Sequence, residues 1–217
     1  MDQSTIVISD IEKLLDEVAH TANVRKIAIG IAAGFSKHEM GLYLSDPQYR
    51  RSRKGDIGTL SLKWFRRRKN QDIKDRFTLE GRRRRMAVRA EKTTGADPEY
   101  QNQADQAEYN RFDLSWEDEC GSRRFVLAME IEMDLDSSEV VRDFKKLLKN
   151  RSRASKVMVC QAKTSGEARK IANELSEQLE RHAKPIGEFL VSVWTWEVGR
   201  FLHFPLHSHN HVLEPTG

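Results

Sequence analysis

The chain has 217 residues, of which 32% are charged and 38% hydrophobic, a balance typical of a globular protein that folds around its own core. No apolar run approaches the ~20 residues that a membrane-spanning helix needs, and the amino terminus MDQSTIVISD lacks a basic start followed by an apolar signal core. We therefore expect a cytoplasmic protein without a membrane anchor.

The net charge of +4 is unevenly distributed along the chain. Residues 50–92 contain 17 Lys and Arg against five Asp and Glu. Such an excess indicates a polyanionic partner, of which nucleic acid is the commonest. Cys120 and Cys160 show no metal-ligand spacing; we predict a loop position for Cys120 and a buried core position for Cys160.

The amino-terminal region predicts a helix. After Ser9, a plausible helix cap, the apolar residues Ile11, Leu14, Leu15 and Val18 recur at helical spacing. The next apolar segment, 26–36, fits either a helix or a buried strand. Its glycines are not followed by Gly-Lys-Ser/Thr, so a phosphate-binding P-loop is excluded.

The basic region begins with a segment, 44–68, that predicts a β-hairpin or loop, because Ile57, Thr59 and Ser61 alternate with larger apolar residues. Its aromatic residues lie among arginines, a mixture that suits single-stranded or distorted nucleic acid, although a solvated basic surface with core aromatics stays open. These candidate nucleic-acid contacts are Arg50, Arg51, Arg53, Arg66, Arg67 and Arg68.

A second basic segment, 76–93, predicts a helix that carries the consecutive residues Arg82, Arg83, Arg84 and Arg85. Four consecutive side chains point around a helix and cannot all face a core, so we expect them to be exposed to nucleic acid unless an acidic partner covers them. The polar segment 93–109, with Gly95 and Pro98, predicts a linker or loop before the next unit.

The centre of the chain predicts a hairpin that carries acidic residues. Residues 112–117 and 125–134 alternate in polarity, and the polar segment between them contains Gly121. The second strand is apolar on one face, and its other face ends in Glu130, Glu132 and Asp134. Antiparallel pairing therefore brings Asp113 close to Glu130 and Glu132.

The hairpin is followed by a helix from Asp136 to about Asn150 and by a short apolar strand, 156–160, which predicts a crossover to a parallel neighbour. A further helix, 165–184, and a strand, 189–198, follow. His203, His207, His209 and His211 cluster near the carboxyl terminus. Such a cluster can bind a transition metal, but an incidental group of terminal histidines is the favoured interpretation.

These residues resemble the PD-(D/E)XK, or restriction-endonuclease-like, nucleases. Members of that family have a core of one helix, a hairpin, a further strand, a crossover helix and another strand, with an Asp on one strand and Glu-x-Lys on the next. Asp113 matches the Asp and Glu130 the Glu, whereas Glu132 stands where Lys is usual, an E-x-E variant. Gln161-Ala162-Lys163 resembles the Gln-x-Lys of a related subgroup and ranks second.

The resemblance covers about residues 108–205 and implies an α/β fold with a central mixed sheet flanked by helices. It divides the chain into a basic elaboration, 1–107, packed on or inserted into the core, a nuclease-like core, 108–205, and a polar tail, 206–217. It also implies that Glu12 or Glu17 of the first helix can approach the metal site, with a solvated helix face as the alternative.

The resemblance further implies a Mg²⁺ or Mn²⁺ cofactor held by Asp113, Glu130 and the backbone carbonyl of Ile131. Glu132 then orients or deprotonates the attacking water, and Lys145 or Lys146 supplies the missing cation. Alternatively, the acids simply form salt bridges with nearby arginines.

Three functions stay open from the sequence. The first is a metal-dependent endonuclease acting on DNA, with a homodimer left open as its oligomeric state. The second is a non-catalytic nucleic-acid-binding or scaffold protein with a degenerate nuclease fold. The third makes 50–92 an arm that docks on an acidic protein partner.

Overall fold

The computed structural model describes residues 6–32, 34–52, 54–90, 112–118, 124–133, 137–182 and 184–206, without the side chains of 24–32, 44–45, 47, 50–51 and 54–68. The described helices are α1 (Ile8–Ala32), α2 (Lys37–Ser45), α3 (Pro47–Ser52), α4 (Lys54–Arg83), α5 (Ser137–Lys149) and α6 (Ser165–Glu180). The described strands are β1 (Met86–Ala90), β2 (Leu114–Asp118), β3 (Phe125–Ile131), β4 (Ser155–Ala162), β5 (Glu188–Thr195) and β6 (Arg200–Leu206).

The described strands form one mixed sheet in sequential order from β1 to β6. β1, β2 and β3 make an antiparallel meander, β3 to β5 run parallel, and β6 returns antiparallel along β5. The predicted hairpin and the predicted parallel neighbour are therefore both confirmed. An α/β fold with a mixed sheet flanked by helices is likewise confirmed.

Helices cover both faces of this sheet because its strands alternate apolar side chains between two cores. One core joins α1 and α4 to the face that carries Trp116, Leu127 and Val159. The other joins α5 and α6 to the face that carries Ala128, Met158 and Val191. Cys160 lies buried as a free thiol in this second core, as predicted; burial first, and then the nearby Glu132, raise the pKa of its thiol to about 12.

The basic region differs from its predicted structure. Residues 47–52 and 54–83 are helical, so the β-hairpin or loop expected over 44–68 is wrong. Ile73 and Phe77, one helical turn apart, are fully buried against the sheet, which fixes this part of α4 as a helix that extends back to Lys54. The helix predicted over 76–93 ends at Arg83, and Met86–Ala90 is a strand.

The turn between α4 and β1 is tight. Arg85 adopts φ +59°, a left-handed conformation that is costly for a residue with a Cβ. Gly81, in the last turn of α4, lies so close to the sheet that a Cβ there would stand 2.5 Å from Val88 Cγ2. Both features allow the chain to reverse from α4 directly into the edge of the sheet.

The described part of the amino-terminal region is packed on the sheet. β1 precedes residue 107 yet pairs with β2, and α1 shares a core with strands from both halves of the chain. The remaining predicted elements have the bounds given above. Residues 26–32, for which the sequence left a helix or a buried strand open, are helical. No helix among the described residues is long and apolar enough to cross a bilayer.

Candidate active site

Asp113 and Glu130 come together at the open end of the hairpin formed by β2 and β3. Leu114 pairs with Met129, so Asp113, one residue earlier, lies opposite Glu130, one residue later. Asp113 Oδ2 accepts a hydrogen bond of 2.9 Å from the backbone N–H of Ile131. The sequence-predicted pair is therefore placed at one site, with Asp113 anchored to the backbone beside Glu130.

Glu130 is a buried carboxyl in an environment that disfavours its charge. Only 2% of the residue is exposed. Burial raises its pKa to about 8; Lys146 opposes that rise, and the negative charges of Asp113 and Asp143 add to it. Glu130 Oε1 has no hydrogen-bond partner. A buried carboxylate oxygen with a free lone pair is suited to accepting a cation.

Lys146, rather than Lys145, is the lysine of α5 beside Glu130. Its Nζ lies 3.5 Å from Glu130 Oε1 and 2.9 Å from Asp143 Oδ1, although Lys146, like Lys145, is exposed. Asp143 precedes Lys146 by three residues, so both side chains lie on the same face of the helix. Of the two lysines named from the sequence, the structure therefore brings Lys146 to Glu130, and Asp143 joins the site as a second buried acid.

A second lysine contacts the site from the opposite layer of the fold. Lys74 Nζ, on α4, lies 2.9 Å from Asp113 Oδ1, and its side chain is 9% exposed. The two oxygens of Asp113 thus receive one ammonium donor and one backbone donor. Because Lys74 precedes Asp113 by 39 residues and falls among many basic residues, no local pattern in the sequence singled it out.

The remaining predicted site residues lie along the end of β3. Ile131 is buried, and its N–H is the donor to Asp113. Glu132 is half-buried, follows the last residue of β3, and donates its backbone N–H to the carbonyl of Val159 at 2.9 Å. It lies two residues beyond Glu130, on the same face of the extended chain. Asp134 and Asp136 lie outside the described residues.

A metal site is supported here by chemistry rather than by an assembled ligand cluster. Among the described residues, no group of three or more His, Cys, Asp or Glu side chains is arranged to hold a metal ion. Mg²⁺ nevertheless needs only one or two protein carboxylates, since it keeps several waters. Asp113 and Glu130 fit that requirement, since Glu130 Oε1 faces Lys146 Nζ at 3.5 Å but accepts no hydrogen bond.

The run Arg82–Arg85 lies at the other end of the first strands. Met86 pairs with Asp118 and Ala90 with Leu114, so the turn that carries these arginines is separated from Asp113 by the length of β1. That length is about 13 Å, at about 3.3 Å per residue. The structure does not bring the four arginines into contact with the two acids.

Glu80 partly covers this basic run. The buried carboxylate of Glu80 accepts hydrogen bonds from Arg83 and Arg84, and the Arg83 hydrogen bond is the largest cause that lowers its pKa to about 2. Arg84 also binds Asp10 of α1 at 2.9 Å, whereas Arg82 and Arg85 are exposed. Arg84 therefore ties α4 to α1. Arg83 is exposed but paired with Glu80, and Arg82 and Arg85 are exposed cations outside these ion pairs.

Several other predicted positions are not part of the site. Glu17 binds Arg76 of α4, and Glu12 lines a surface groove along α1. His203 lies buried in β6, within hydrogen-bond distance of Ser192, and so belongs to the sheet. The predictions for the side chains of Arg50, Arg51, Arg53, Arg66, Arg67 and Arg68 lie outside the described residues, as do those for Cys120 and residues 207–217.

Comparison of the chain with protein-family models, with curated proteins and with solved structures finds no match.

Proposed function

We propose that the chain is a metal-dependent nuclease that hydrolyses phosphodiester bonds of DNA at the end of β2 and β3. The observation that carries this proposal is the pair Asp113 and Glu130, in which a buried carboxyl with a raised pKa, whose Oε1 accepts no hydrogen bond, adjoins a second carboxylate. Perturbed carboxyls of this kind concentrate at functional sites. The element order α4, β1, β2, β3, α5, β4 also fits the core that the family resemblance implies.

Asp113 and Glu130 would hold Mg²⁺ or Mn²⁺, with the backbone carbonyl of Ile131 as a further ligand. When bound, such a cation neutralises the negative charge that develops on phosphate oxygens during hydrolysis. The protein supplies the fixed carboxylates and the low-dielectric surroundings that make this neutralisation effective.

The chain's own residues have separate tasks in this reaction. Glu132 orients the attacking water and accepts its proton, a role that requires a carboxylate on the same face as Glu130. Lys146 provides positive charge beside Glu130, where the family usually has the Lys of Glu-x-Lys. Asp143 keeps Lys146 directed toward Glu130 by its own ion pair at 2.9 Å.

The basic residues at the end of α4 and in the turn after it bind the substrate away from the acids. Arg82 and Arg85 would contact phosphates about 13 Å or more from Asp113, given the length of β1. Contacts at such a distance position a polyanion without sequence information. DNA is therefore the proposed substrate class, and its strandedness is a matter for the cleavage assay.

The second candidate is a nucleic-acid-binding protein without catalysis. The ion pair between Lys74 and Asp113 favours it, because an ammonium already takes the place that a metal ion would occupy beside that acid. In this account Lys74 and Lys146 neutralise the two acids permanently. The acids then stabilise the end of the sheet and perform no chemistry.

The experiment that separates the two candidates is cleavage of supercoiled plasmid and of single-stranded DNA in Mg²⁺ or Mn²⁺. The full chain is compared with Asp113→Asn and Glu130→Gln, which remove charge while keeping shape. Ser192→Ala, in β5, controls for a small loss of buried hydrogen bonding.

The nuclease account predicts cleavage by the wild-type chain and by Ser192→Ala, and none by the two site variants. Binding of DNA by every variant, with no cleavage by the wild-type chain in either metal, would favour the second candidate.

A further inference from the structure

The side chain of Gln161, near the end of β4, is almost fully buried and uses both ends of its amide. Its Oε1 accepts hydrogen bonds of 3.1 Å from Lys69 Nζ of α4 and of 3.1 Å from Trp196 Nε1, just after β5. Its Nε2 donates to the backbone carbonyl of Met133. Only 1% of Gln161 is exposed.

The orientation of this amide is fixed by its partners. An ammonium and an indole N–H can only donate, so they require the oxygen of Gln161. A backbone carbonyl can only accept, so it requires the NH₂ group. Lys69 is itself held over the rings of Trp194 and Trp196, at 4.7 and 5.5 Å from their centroids. The four side chains therefore present one donor, Gln161 Nε2, to one acceptor, the carbonyl of Met133.

This contact extends the pairing of β3 with β4 beyond the end of β3. Regular pairing stops at Ile131 and Val159, and the N–H of Glu132 makes one further bond to the carbonyl of Val159. The side chain of Gln161 then donates a hydrogen bond to the backbone carbonyl of Met133, one residue later. Residues 131, 132 and 133 are thus fixed in succession by Asp113, by the backbone of β4 and by Gln161.

We propose that Gln161 is a positioning residue for the metal site, acting through the backbone of Met133. Residues 131–133 include the Ile131 carbonyl and Glu132, and their placement beside Asp113 and Glu130 depends on this anchor. The inference rests on the proposed function, since it assigns Gln161 a role at the same site. Mutating a residue that hydrogen-bonds to a metal ligand, and so fixes its position, commonly lowers metal affinity by about 10-fold to 100-fold.

Two variants separate this role from a general loss of stability. Gln161→Glu keeps an oxygen for Lys69 and Trp196 but replaces the donor that holds Met133 by a second oxygen. Its added negative charge would by itself strengthen cation binding, so weaker binding cannot be an effect of charge. Lys69→Met removes one of the two donors to Gln161 Oε1; the Trp196 N–H remains and still sets the orientation of the amide, so the bond from Gln161 to Met133 is kept. Gln161→Met, which removes the donor without adding charge, serves if the Glu variant does not fold.

The test is Mn²⁺ affinity of the full chain by isothermal titration, with thermal unfolding measured for each variant. We expect one Mn²⁺ to bind the wild-type chain, Glu130→Gln to abolish that binding, Gln161→Glu to weaken it at least about 10-fold, and Lys69→Met to change it by less than about threefold. If Gln161→Glu binds Mn²⁺ with wild-type affinity, or if Lys69→Met loses as much affinity as Gln161→Glu, Gln161 is not a positioning residue. The proposed metal site would stand in either case. Absence of Mn²⁺ binding by the wild-type chain would overturn the proposed metal site, and this inference with it.

Discussion

Asp113, directly before β2, lies opposite Glu130 of β3 at one end of the sheet, and it accepts a hydrogen bond from the backbone N–H of Ile131, the residue after Glu130. Burial raises the pKa of Glu130 to about 8, and the charge of Asp113 adds to that rise. The protein therefore maintains a carboxyl that resists ionisation unless positive charge is brought to it. That property connects the stability of the chain to pH and, under the proposed function, to divalent cations.

The first prediction concerns the pH dependence of stability without metal. The pKa of Glu130 is about 8 in the folded chain and 4.5 ordinarily, so between these values the folded state holds more protons than the unfolded state. Stability from this group is complete below pH 4.5 and is lost as pH rises through 8. The Glu130→Gln variant has no titrating group at this position, so its stability provides the reference curve.

Thermal unfolding in EDTA from about pH 5 to about pH 9 checks this prediction. The wild-type chain should lose stability relative to Glu130→Gln as pH rises. Parallel curves across this window would show that Glu130 does not have a raised pKa.

A second prediction concerns Lys74. Lys74→Met removes the ammonium 2.9 Å from Asp113 and leaves two neighbouring carboxyls with less compensating charge. We expect the variant to melt several degrees below the wild-type chain in EDTA. We also expect Mn²⁺ to raise the melting temperature of the variant by more than it raises that of the wild-type chain. Differential scanning calorimetry with and without Mn²⁺ measures both quantities. If Mn²⁺ stabilises both proteins equally, metal and lysine do not share this site.

The contact between α4 and the sheet gives a third prediction. A Cβ on Gly81 would lie 2.5 Å from Val88 Cγ2 and 2.8 Å from the ring of Trp116, so Gly81→Ala forces α4 away from the sheet. The expected loss in the free energy of unfolding is about 1–3 kcal/mol. Gly41→Ala in α2 is the matched control, since its added Cβ meets nothing within 4 Å and should stabilise the helix by about 0.5–1 kcal/mol.

Urea unfolding of both glycine variants measures these changes in the free energy of unfolding. A Gly81→Ala protein as stable as the wild-type chain would mean that α4 packs more loosely than described.

The exposed arginines give a fourth prediction, on DNA affinity. Replacing Arg82 by Gln and Arg85 by Asn should weaken binding for all DNA sequences and reduce the slope of log affinity against log salt by about 0.7–0.9 for each phosphate that the variant no longer neutralises. Asn suits position 85 because it tolerates the φ of +59° found there. Fluorescence anisotropy over a range of salt concentrations measures the slope, and an unchanged slope would show that these arginines do not contact DNA.

Long apolar strands and amphipathic helices were predictable because burial imposes a clear period on their residues. The strand around Phe125–Ile131, the helix around Val140 and Leu147, and the strand around Val191 all follow from such patterns. β1 was missed because five residues directly after an arginine run continue a helical pattern. β6 was missed because His203 was grouped with the terminal histidines and Pro205 argues against a strand, whereas Pro205 stands on an edge strand, where a missing N–H is tolerated.

The candidate site was predictable only where its residues share one hairpin. Asp113 and Glu130 come together through strand alternation, which a sequence displays directly. Lys74 comes from α4, a separate element, so its contact depends on packing that no local pattern encodes. The choice between Lys145 and Lys146 required the rotation of α5 about its axis, which is set by burial of Phe144 and Leu147.

The most direct test of the central claim is the anomalous scattering of Mn²⁺ in a crystal of the full chain grown with that ion. The metal-site account predicts one peak within about 2.0–2.4 Å of carboxylate oxygens from both Asp113 and Glu130, with Lys74 moved away from Asp113. A crystal that contains Mn²⁺ but shows no peak between these acids, with Lys74 and Lys146 still paired to them, would contradict the account.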